Sequence, residues 1–127
     1  MRSVILTADK FEDMELFVPY FRLLDAGAHV DIAAPTRDDI SGEHEYSITP
    51  DILISDVDPA QYDLLIIPGG FPDGAPAVVR SIPHTQFIAR AFMTLNKPVA
   101  IDGNLVTSRW PADLAAFTSA MMTLVGA

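Results

Sequence analysis

The residues best placed to do chemistry in this chain stand directly behind short apolar runs. Glu12 and Asp13 follow the run at 3–8 (SVILTA), Gly69 and Gly70 follow the run at 64–67, and Asp102 and Gly103 follow the run at 99–101. A carboxylate in such a place can move protons or, facing a second carboxylate, share a proton or hold a divalent cation. A glycine pair lets backbone come close to a ligand and aim an amide at a developing negative charge. Each position also has a plainer role. Glu12 and Asp13 complement the positive end of a helix, Gly69-Gly70 makes a turn, and Asp102-Gly103 is a two-strand turn signal.

Other chemistries are excluded or unsupported. The sequence contains no cysteine, so it has no thiol nucleophile, no disulfide and no thiolate metal site. No serine sits in a G-x-S-x-G elbow, and neither G-x-G-x-x-G nor a phosphate-binding G-x-x-x-x-G-K-[ST] is present; Pro72 and Asp73 further reduce the anion-binding capacity of the Gly69-Gly70 turn. His29, His44 and His84 show no ligand spacing to one another, and His44 falls in the polar turn GEHEY, so neither a metal nor another cofactor is expected. Trp110 and the Met121-Met122 pair read as packing residues. Seventeen acidic against eight basic residues give a net charge of -9, which opposes nucleic acid and anionic lipid as partners. No apolar run approaches the ~18 residues of a membrane span, and the N-terminal segment MRSVILTADKFED reads as a strand followed by acids; cytoplasm is the expected location.

The elements that must position these residues alternate in type. Strands are expected at 3–8, 29–34, 46–48, 52–54, 64–67, 99–101 and 105–108. Helices are expected at 12–26, closed by Gly27 and interrupted by Pro19, at 85–95, and at 112–125, with Pro111 near the first turn of the last. Half of the residues are hydrophobic, and 127 residues make one domain with a packed core. Alternation of this kind gives a mostly parallel sheet with helices on its faces, whose ligands bind at the carboxyl ends of the strands. Glu12, Gly69-Gly70 and Asp102-Gly103 all follow strands in that sense.

The segments TADKFEDMELFVPYFRLLDAG, DLLIIPGG, NKPVA and DGNLVTSR with PADL occur in an order that resembles the DJ-1/PfpI family of peptidases, glyoxalases and deglycases. The resemblance covers nearly the whole chain and implies an α/β, flavodoxin-like three-layer sandwich with a mostly parallel sheet, truncated relative to the family, over residues 1–127. In the family, the strand matching 98–101 runs into a sharp turn that carries a nucleophilic cysteine and a neighbouring histidine. Here NKPVA passes directly into IDGNLVTSR, so the segment expected between Ala100 and Asp102 is missing. By resemblance, Glu12 matches the acid that shares a proton with the cysteine, and Gly70 supplies one half of an oxyanion hole whose other half belonged to the missing turn. If the gap is placed differently, Asp102 falls near the lost cysteine and within reach of Glu12.

Two functions follow from this reading. One is a catalytically inactive relative that serves as a binding or assembly module. The other is a cysteine-independent enzyme in which Glu12, alone or with Asp102, does acid-base work on a small carbonyl compound. The missing block should leave apolar surface or an open sheet edge to be covered, so a homodimer or larger homo-oligomer is expected. The strands at 99–101 and 105–108 are left by the short turn between them to form an antiparallel hairpin or to separate.

Overall fold

The computed structural model describes residues 1–68, 99–102, 105–108 and 114–124. The strands β1 (Arg2–Leu6), β2 (His29–Ala34), β5 (Ile52–Leu53), β6 (Leu64–Ile67), β7 (Val99–Asp102) and β8 (Leu105–Ser108) form one sheet in the order β5-β2-β1-β6-β8-β7. All pairings are parallel except β7 with β8, an antiparallel hairpin in which Asp102 faces Leu105. The short turn has therefore produced the hairpin, and β8 carries the parallel direction on through its pairing with β6. Two further short strands, β3 (Ile40–Ser41) and β4 (Ser47–Ile48), make a separate antiparallel ribbon. The sequence pattern reads only the second of these, because two residues carry too little alternation to register as a strand.

Alternation along β1 explains the core. Ile5 joins Ile32, Ile66 and the helical residues Leu16, Leu23, Met121 and Met122, whereas Val4 and Leu6 join Ala33, Ile67, Ile54, Val57 and Tyr62. The first face is covered by α1 (Asp13–Asp25) and α2 (Leu114–Leu124), and the second, among the described residues, by the segment at 54–62 with its two short 3-10 turns. The expected helix at 85–95, Trp110 and Pro111 lie outside the described residues. Burying both faces of parallel strands is what makes LLII at 64–67 continuously apolar.

α1 runs without a break through Pro19. The proline has no amide hydrogen to give the preceding turn, and its ring is buried. The helix stops where expected: Gly27 takes φ of 82°, its amide donates to the Leu24 carbonyl at 3.0 Å, and the Ala28 amide donates to the Leu23 carbonyl at 3.0 Å. That reversal starts β2 beside β1, and β1 then delivers the chain at its carboxyl end to the start of α1.

Candidate functional site at the start of the first helix

Between β1 and α1 the chain is stitched to the β3–β4 ribbon. The Lys10 amide donates to the Ser41 carbonyl at 2.6 Å, the Ser41 amide to Asp9 Oδ1 at 2.9 Å, and the Glu43 amide to the Phe11 carbonyl at 2.8 Å. Glu12 is the N-cap of α1, with extended backbone, and its Oε2 accepts the Glu15 amide at 2.9 Å. An acid at this position suits both the free amides and the positive end of the helix.

Asp13 organises the ribbon. Its Oδ1 accepts the His44 amide at 2.8 Å and its Oδ2 the Tyr46 amide at 3.1 Å. The turn at 42–46 closes on itself through Gly42 and Tyr46, with Glu45 at a φ of 71°. A Cβ on Gly42 would run into the Asp13 carboxylate, so only glycine lets the turn sit this close to the helix.

The result is a small polar site at the carboxyl end of β1. The Glu12 side chain is 10% exposed and the His44 side chain 67%, with Glu12 Oε1 and His44 Nε2 3.6 Å apart. Glu43 joins them, and one donor atom from each of the three residues lies within 4.8 Å of the others. Glu43 and His44 were not singled out by their sequence. GEHEY is an ordinary polar turn, and its proximity to Glu12 arises from the Asp13 hydrogen bonds, which link positions 31 and 33 residues apart.

The other expected site residues are not brought here by any described contact. Gly69 and Gly70 lie outside the described residues. Asp102 ends β7, three strands from β1, and its register through Leu105 and Leu65 is level with Val4. At a spacing of about 4.8 Å per strand this sets its backbone roughly 14 Å from β1.

Beside the polar site the outward face of α1 is apolar. Met14, Phe17, Val18, Phe21 and Tyr46 line a groove of about 560 Å³, with Phe17 stacked on Phe21 at 5.9 Å and edge-on to Tyr46 at 6.2 Å. Met14, Phe21 and Tyr46 are each more than half exposed.

A second acid-histidine cluster lies toward the amino ends of the strands. Asp31 accepts the Tyr62 hydroxyl at 2.7 Å, meets His29 at 3.0 Å and pairs with Arg2 at 3.5 Å. Burial pushes the Asp31 carboxyl up, but the Tyr62 and His29 hydrogen bonds and the His29 and Arg2 charges outweigh it and hold it below the usual carboxylate range. Burial, reinforced by Asp31, pushes the Tyr62 hydroxyl up to about 12. No helix among the described residues is long and apolar enough to cross a membrane.

Comparison with known proteins places this geometry in context. Residues 1–101 match the model of the DJ-1/PfpI family. A protein named as a deglycase from Pyrococcus horikoshii is 32% identical over 168 aligned positions, which take in 98% of this chain and 99% of that one. The alignment is longer than the chain's 127 residues, so at least 41 positions of that relative have no counterpart here. The deglycase PfpI of Pyrococcus furiosus is 41% identical over 100 residues, which are 79% of this chain and 58% of the relative. Among solved structures, a two-domain protein from Anabaena variabilis with DJ-1/ThiJ/PfpI-like and ferritin-like domains superimposes with a TM-score of 0.79 at 26% identity, over 99% of this chain and 50% of that one. Schizosaccharomyces pombe DJ-1 superimposes with a TM-score of 0.76 at 16% identity, over 100% and 93% of the two chains.

Proposed function

This chain belongs to the DJ-1/PfpI family, and from that premise we propose that it is a non-catalytic member acting as a binding or assembly module. The observation that carries the reading is the absence of any cysteine from the sequence. A thiolate is the nucleophile in the chemistry the resemblance implies, and no oxygen nucleophile replaces it in a recognisable setting. Glu12, the acid that would serve the thiol, has a structural task instead as the cap of α1. In this reading the segment missing between Ala100 and Asp102 took the nucleophile with it, Gly69-Gly70 remains as a turn able to face a small carbonyl ligand, and the protein works in the cytoplasm.

The apolar groove on α1 supports self-association into a homodimer or larger assembly, since exposed aromatic surface of this kind is commonly covered by a partner. Sedimentation at micromolar concentration should give at least twice the mass of one chain, and a monomer would remove that part of the reading.

A second reading is favoured by one feature of the site. Glu12 is almost buried beside an exposed imidazole at the ligand-binding end of the sheet, an arrangement suited to acid-base work on a small carbonyl compound. Turnover of methylglyoxal by the purified chain, with intact mass confirmed, separates the two. The module gives no rate above buffer, whereas turnover that disappears in Glu12→Ala establishes the enzyme.

A further inference from the structure

We draw no further inference here: the strongest candidate, the apolar groove between the outward face of α1 and Tyr46, belongs to the self-association already proposed, and nothing in the structure shows what covers it.

Discussion

Asp31 and Glu12 each lie beside a histidine, toward opposite ends of the same sheet. Asp31 is closed: Tyr62, His29 and Arg2 all approach its two oxygens within 3.5 Å. Glu12 is half closed, with one oxygen on the Glu15 amide and the other facing His44 across 3.6 Å. Both carboxylates are mostly withdrawn from solvent, so burial alone does not distinguish their two settings. What separates them is whether every lone pair has a donor, because an acid that the protein has fully satisfied gains little from a further partner.

The comparison breaks most visibly at Asp13, the residue that holds the Glu12 site together. Asp13→Ala removes the acceptor of two charge-assisted hydrogen bonds and should cost about 3 kcal/mol in urea-induced unfolding. A loss below about 1 kcal/mol would mean that the ribbon is held by its other contacts.

The closed cluster gives the next effect, sharpened by pH. Tyr62→Phe should cost about 1 kcal/mol at neutral pH by removing the hydroxyl from Asp31. The Tyr62 hydroxyl is raised in the folded protein to about 12, above its unfolded value near 10, so its contribution is fully present below pH 10 and lost as pH rises toward 12. Asp31 has the opposite sign: its folded carboxyl is depressed, so its contribution is present above about pH 4 and lost as pH falls through the depressed value. Unfolding curves across pH should therefore weaken at both ends in the wild type, with the alkaline decline reduced in Tyr62→Phe.

Glu12 itself gives an effect no larger, and the smallest of all in its glutamine variant. Glu12→Ala should cost about 1 kcal/mol as a lost helix cap, and Glu12→Gln, which keeps an acceptor for the Glu15 amide, only a few tenths. Thermal melts of the two variants check this ordering. An equal and large loss in both would show that the negative charge at the helix start, and not the cap hydrogen bond, is what the fold needs.

Much of the fold was legible because it rests on local patterns. LLII at 64–67 reads as a strand covered on both faces, Gly27 reads as the end of α1, and Glu12 with Asp13 reads as a helix start; each is where the structure has it. The two-residue strand β3 was not legible, since so short a segment owes its conformation to β4 and to the Lys10 amide at its edge. The hairpin of β7 and β8 was half legible: the short turn allowed it, and pairing of β8 with β6 decided it.

The sequence by itself determined the chemistry that is excluded: with no cysteine, no thiol can act anywhere in the chain. It also determined the alternation of elements, because apolar periodicity and chain reversal at glycine depend on neighbours a few residues away. Only the tertiary structure decided which polar groups meet. Glu43 and His44 reach Glu12 because Asp13 captures the backbone of their turn, and the sheet order sets three strand spacings between the Asp102 backbone and β1. Those outcomes depend on long-range backbone pairing, to which no local pattern of side chains gives access.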